Sequence, residues 1–491
     1  MLGLVEDYER LDEAVGTMED FRVFLKTFHK KGVKVVVTFN FNAISINHKW
    51  IGENKVKLKS FEDPYNNKIS RYGKAIDVDI DGKKYYSVFG SPNVDLDLTD
   101  PDTQKQIINV INMWMKEGID GILLDNAAFF VEEEENVQRK PNSMWNMNCQ
   151  NSQMYRNGSV TFVKAIKQEI DKWTNESGKF KLLAVSSGET GCGVYDDPDP
   201  MLMFRNVTDM IISREWLFDR GGPFSLITPQ KQNIEKFYSY PTSDREKLGL
   251  TTSTTETPSY FEIFTLAPTL LLPGIPIIYY GTEIGFTTFD IHRLPKEIYP
   301  KGKIYNDRDE TLYTLSHSPM PWDRTGRRFS ANINETIFIE YLKDIKWLSV
   351  VEDQLAEGNN QSFLHLVRKL VALRQNPSIK WGTMELIDIA DKSRDSIEAF
   401  VRKANGFPTF IIVIITLIGR NYSLDLTPVC SSVTPRIIYP SLSYLQVDIP
   451  ILNSKINLSK PQTAHHVLVF ECNSTNPHSI IKPQSTKETD S

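Results

Sequence analysis

From Thr17 the run TMEDFRVFLKTFHKKGVKVVVTF reads as a capped helix that stops at Gly32 and is followed by a β-branched strand over 33–39. The unit recurs: a helix over 103–116, Gly118, then a strand over 121–124; a helix over 160–173, then a strand over 182–185. Further strands are expected at 209–213, 248–252 and 275–280, with a helix over 259–272 between the last two. Helices alternating with strands imply a parallel sheet with the helices outside, because a parallel crossover needs a connection long enough to be a helix. A (β/α)8 barrel is the natural closure. The run LLPGIPIIYYGTEIG (271–285) fits one of its strands, with an apolar centre opened by Pro273-Gly274 and a polar end marked by Gly281, Glu283 and Gly285.

Residues 44–100 are polar and turn-rich, with NNKISRYG and DIDGKK as hairpin signals, and read as an insertion after the first strand. A second excursion runs from 282 to about 361, and a helix over 361–374 closes the barrel region. Beyond 380 the runs EAFVRKANG, FPTFIIVIITL, RIIYPS and HHVLVFEC are strand-like and separated by turns. The expected organisation is a barrel over 1–380, a β-sandwich over 381–475 and a polar tail over 476–491.

The charge balance, 56 basic against 62 acidic residues and net −6, has no basic run or aromatic-basic stripe to suit nucleic acid. Cys149, Cys192, Cys430 and Cys472 are too few for a disulfide scaffold and lack metal spacing. The histidines at 29, 48, 292, 317, 365, 465, 466 and 478 show no ligand spacing either. Glu132 to Glu135 read as a solvated face without the spaced oxygen ligands of a calcium loop, and Trp50 and Trp322 as packing residues rather than sugar platforms. No cofactor or metal is expected. Asn-X-Ser/Thr glycosylation candidates stand at Asn157, Asn175, Asn206, Asn334, Asn360, Asn421, Asn457 and Asn473, which leans toward a secreted or ectodomain setting. The most apolar stretch, 407–418, falls short of the roughly 20 residues a membrane helix needs, so no span is expected in the chain as given. Met1 opens directly into LGLVEDYERLDEAVGTMEDF without a leader.

Several blocks in order resemble the α-amylase-type glycoside hydrolases (family 13), which include α-glucosidases and the heavy-chain subunits of heteromeric amino acid transporters. LLPGIPIIYYGTEIG is similar to the family's eighth strand, DYERLDEAVGTMEDF to its segment after the second strand, and YYSVFGSPNVDLDLTDPDTQ to its inserted segment before the fourth. SPMPWD (318–323) and QSFLHLVRKLVALRQ (361–375) resemble its late loop and last helix, so that the likeness covers about 5–475. The resemblance implies an incomplete (β/α)8 barrel that lacks its first two strands, an inserted subdomain and a C-terminal β-sandwich.

A retaining glycosidase needs a carboxylate nucleophile and a carboxylic acid about 5 to 5.5 Å apart, carried at the carboxyl ends of barrel strands. By resemblance Asp125, in DGILLDNA, holds the nucleophile's position. Its surroundings depart from the family: Leu123 replaces an Arg, Ala43 a sugar-contacting His after Asn42, and Ser186 the acid/base Glu. A serine does not protonate a glycosidic oxygen at neutral pH. Thr254, Thr255 and Glu256 stand for Asn, His and Asp, leaving one carboxylate of that set, and Glu189 in SSGETG is an alternative acid. No catalytic residue is therefore expected, only the vestigial positions Asp125, Ser186 and Glu256. The implied function is an inactive amylase-like ectodomain that stabilises and traffics a polytopic transporter light chain at the plasma membrane. The alternatives are an α-glucosidase with Asp125 as nucleophile, and a secreted carbohydrate-binding scaffold.

Overall fold

The computed structural model describes residues 5–13, 15–60, 77–87, 92–131, 157–186, 203–213, 242–250, 262–285, 320–328, 350–358, 362–387, 389, 397–415, 421–458 and 466–475. The chain forms two compact units, residues 1–213 with 247–249, and residues 214–246 with 250–491.

In the first unit, helix α1 (Met18–Lys30) starts at Thr17. The Thr17 hydroxyl accepts from Asp20 N–H while the Asp20 carboxylate accepts from Thr17 N–H at 2.8 Å, which satisfies two donors that a helix start leaves orphaned. Gly32, at φ +73°, turns the chain out of the helix toward strand β1 (Val36–Phe39). The strand begins later than the sequence pattern suggests because Val33 N–H returns to Phe28 O and Val35 N–H donates to the Asp120 carboxylate. Next come β2 (Ala43–Ser45), the hairpin β3 (Asp77–Ile80) and β4 (Lys83–Tyr86), and β5 (Asn93–Asp95), which pairs antiparallel with β2. DIDGKK makes the expected hairpin: Asp81 and Gly82 both take positive φ, 53° and 77°, as a two-residue turn between twisted strands requires. The other signal, NNKISRYG, lies outside the described residues.

Helix α2 (Pro101–Glu117) is capped by the Asp100 carboxylate, which accepts from Thr103 N–H at 2.8 Å, and ends at Gly118 with φ 104°. It buries Ile107, Val110, Ile111 and Trp114. Strand β6 (Gly121–Leu124), helix α3 (Asn157–Ser177), β7 (Leu182–Ser186), β8 (Met210–Ser213) and β9 (Leu248–Leu250) follow. The sheet runs β1-β6-β7-β8-β9, with β1, β6, β7 and β8 pairing in parallel. Gly121 lets β6 and β7 approach, since a methyl group there would run into the backbone oxygen of Leu182.

In the second unit, helix α4 (Glu262–Leu271) leads to β10 (Ile275–Pro276). Within this unit Ile277 N–H donates to Leu250 O at 2.8 Å. The expected strand over 275–280 is this short because Pro276 has no N–H to give to a ladder. Helix α5 (Phe363–Arg374) begins at Ser362, whose hydroxyl accepts from His365 N–H. Arg374 donates to the carbonyls of Leu270, Leu272 and Gly274, closing the carboxyl end of α4.

The remainder is all β: β11 (Thr383–Leu386), β12 (Ile397–Lys403), β13 (Phe410–Ile415), β14 (Tyr422–Asp425), β15 (Cys430–Tyr439), β16 (Lys455–Leu458) and β17 (His466–Thr475). One antiparallel sheet has the order β11-β12-β13-β17-β15, and β14-β16 forms a second. Ile411, Val413, Ile415 and Phe470 of the first share a core with Leu424, Ile456 and Leu458 of the second. The fold is thus an incomplete (β/α)8-type sheet with a C-terminal β-sandwich. A disulfide joins Cys430 to Cys472. Arg402, fully buried, donates to the carbonyls of Leu271, Ser378, Ile379 and Gly382, and so ties β12 to the end of α4 and to the single turn Pro377–Lys380.

Candidate functional site

Asp125 follows β6 directly and is buried, its N–H donating to Phe39 O at 2.8 Å across to β1. Asn126 takes a left-handed backbone, φ 56°, and its Nδ2 donates to Asp125 Oδ2 at 3.3 Å. The chain then turns through the short helix Ala127–Phe129. Leu124 is the register partner of Val185, so the next residues, Asp125 and Ser186, lie at the carboxyl ends of adjacent parallel strands. That is the end at which barrel enzymes carry their chemistry.

One level below Asp125 on the strands, the described residues are apolar or neutral. Leu123 pairs with Thr38 on β1 and Ala184 on β7, so that level of the three strands presents no charge. Ala43 is buried in β2 opposite Asp95 and offers no ring. Asn42 is buried with its carbonyl accepting from Leu96 N–H at 3.0 Å, while its Nδ2 has no partner among the described residues. A narrow cleft beside it is lined by Lys59, Asp95, Phe130 and Val131 among others. What the described residues bring together is therefore one carboxylate and a serine, which do not form the acid pair that glycoside hydrolysis needs.

Glu256, Glu189, Thr254 and Thr255 lie outside the described residues, as do Glu132 to Glu135, Cys149, Cys192, Asn334, Asn360 and the histidines at 292, 317, 465 and 478. Trp50 is fully buried, as packing requires, and Trp322 is partly exposed. His29, His365 and His466 serve as partners of Asp120, Ser362 and the Pro440 backbone. Among the described residues no group of three His, Cys, Asp or Glu could hold a metal ion, and no helix is long and apolar enough to cross a membrane.

Some polar features escaped the sequence pattern. His48 is buried against Tyr8 and Trp50, with ring centroids 5.4 and 4.6 Å away. Its Nδ1 accepts from Trp50 N–H at 3.1 Å, and burial pulls its pKa down to about 4. Glu283, in the turn between Gly281 and Gly285 of the second unit, is half-buried and its pKa is raised by burial. The buried arginines and the disulfide were likewise invisible, since each depends on partners remote in sequence.

Residues 4–180 match the family described as alpha amylase, catalytic domain. The amino acid transporter heavy chain SLC3A1 of Rattus norvegicus is 24% identical over 370 residues, 68% of this chain and 51% of that protein. The alpha-glucosidase of Candida albicans is 22% identical over 508 residues, 87% of this chain and 85% of that one. The crystal structure of trehalulose synthase MutB from Pseudomonas mesoacidophila MX-45 superposes with a TM-score of 0.65 at 16% identity, over 95% of this chain and 88% of that one. The match over residues 4–180 supports kinship with the α-amylase-type glycoside hydrolases, family 13. Sequence likeness extends both to SLC3A1 heavy chains and to α-glucosidases. The match spans about half the length of the rat and human heavy chains, 51% and 49%.

Proposed function

We propose that this chain is the amylase-like ectodomain of an amino acid transporter heavy chain, catalytically inactive, which stabilises and traffics a polytopic light chain at the extracellular face of the plasma membrane. The observation that carries it is the pairing of Asp125 with Ser186 at the carboxyl ends of β6 and β7, where an acid pair would be needed. Leu123 stands on β6 where the resemblance places the family's Arg. The likeness to three SLC3A1 heavy chains, from rat, human and mouse, supports the assignment. In this reading 1–380 is the barrel, with the insertion at 44–100, 381–475 the sandwich, and 476–491 a tail. Asp125, Ser186, Glu256 and Glu189 then carry no catalysis.

The test has two arms. Purified protein should hydrolyse a maltoside no faster than a heat-killed control. When isolated from the membranes of its own cells, it should bring a polytopic transporter with it, and amino acid uptake should fall when its expression is silenced. Turnover that disappears in Asp125→Asn would instead establish the second reading, an α-glucosidase with Asp125 as nucleophile. That reading is favoured by the retained Asp125 and by a match covering 85% of the Candida enzyme.

A further inference from the structure

The two-stranded sheet β14-β16 places two glycosylation motifs against each other. Its register pairs Tyr422 with Leu458 and Ser423 with Asn457. Ser423 is the hydroxyl residue of the motif Asn421-Tyr422-Ser423, and Asn457 is the acceptor of the motif Asn457-Leu458-Ser459. Strand alternation sends Leu424, Ile456 and Leu458 into the sandwich core, where each is buried. It leaves Asn421, Ser423, Lys455 and Asn457 exposed on the other face. Asn421 immediately precedes β14 and is two residues from Ser423, the register partner of Asn457.

We propose that this polar face is a paired N-glycosylation site, carrying glycans on both Asn421 and Asn457 of the same molecule. In each transfer the asparagine Nδ2 forms a bond to the anomeric carbon of an oligosaccharide carried on a lipid diphosphate. The anomeric C–O bond breaks, the lipid diphosphate leaves with the electron pair, and one amide proton passes to a base. The folded sheet accommodates both products because neither asparagine lies on the core side. The Asn473 amide is engaged on both sides, accepting from Thr434 Oγ1 at 2.9 Å and donating to Ser432 Oγ at 3.0 Å. Two glycans rooted this close cover the outer face of the β14-β16 sheet and keep it out of any apolar interface.

The inference rests on the ectodomain reading, since the transfer takes place only in the secretory route. Protein captured from its own cells is treated with peptide N-glycosidase in heavy-oxygen water, and the label at each asparagine is read by peptide mass spectrometry. Label at both Asn421 and Asn457 in more than half of the molecules is the expected result, with N421Q and N457Q each lowering the mass by one glycan and the double variant by two. If the exposed Asn157, Asn175 or Asn206 is labelled while either member of the pair stays bare, the paired site is wrong and the ectodomain reading stands. If no acceptor is labelled, the ectodomain reading fails and takes the paired site with it.

Discussion

His48 sets a pH limit on the first unit. Its folded pKa is about 4 against an ordinary 6.5, because burial disfavours the charged ring. The unfolded chain therefore binds a proton that the folded chain refuses between those two values. Stability is insensitive to this group above pH 6.5, falls as the pH drops from 6.5 to 4, and loses about 3 kcal/mol in all at about 1.4 kcal/mol per pH unit. Urea midpoints measured from pH 7 to 4 should show that slope, and His48→Phe should flatten it. Asp120 acts lower on the scale. Burial alone would raise its pKa, but the Val35 N–H at 2.9 Å, His29 Nε2 at 2.6 Å and Lys34 Nζ at 3.3 Å outweigh it and hold the carboxylate below its ordinary value. Its contribution is present above the usual carboxylate range and lost as the pH falls through that depressed value. Asp120→Asn should remove that acid-side loss and lower stability at pH 7, read from the same curves.

At the level of elements, the clearest dependence is on Arg402. Its guanidinium satisfies four carbonyls, those of Leu271, Ser378, Ile379 and Gly382. Arg402→Ala would leave them buried without donors, and a loss of at least about 3 kcal/mol in chemical unfolding is expected, against about 1–3 kcal/mol for a single such group. Gly121→Ala tests the approach of β6 to β7: a methyl group there meets Leu182 O, so the variant should lose cooperativity in unfolding even though alanine is otherwise an acceptable strand residue. Elements that rest on local signals were legible in sequence. The Thr17 cap, the glycines at 32 and 118 and the DIDGKK turn each act locally, and the helices and the hairpin that they bound appear where the pattern puts them, although the second helix starts two residues early at Pro101 under the Asp100 cap. Where pairing partners decide the outcome, the sequence was silent. β11, β14 and β16 are four-residue strands of mixed polarity that exist because β12 and each other hold them, and Arg374, Arg402 and the cysteine bridge engage residues far along the chain. The same distinction applies at the site: Leu123, Ala43 and Ser186 could be read as departures from a family pattern, but the cleft of Asn42, Asp95 and Phe130 beside them takes shape only in the folded chain.

For the molecule as a whole, the Cys430–Cys472 bridge spans 42 residues of the sandwich. Loop closure of that length restricts the unfolded chain by about 4 kcal/mol, so a Cys430→Ser, Cys472→Ser double variant should unfold at clearly lower urea, with an unchanged far-ultraviolet spectrum before the transition. An equal midpoint for both proteins would show that the bridge contributes nothing. The order of the large sheet has a consequence of its own. β17 lies between β13 and β15, in the interior of the sheet, yet it leaves the ribosome after every other strand of that sheet. Throughout elongation β13 and β15 must wait with an apolar slot between them, open to chaperones, and the layer is zipped shut only when Val467, Leu468, Val469 and Phe470 arrive to fill it. A stop codon at 466 would therefore cost the sandwich an interior strand, and a nascent chain stalled at that point should remain protease-sensitive throughout the sandwich.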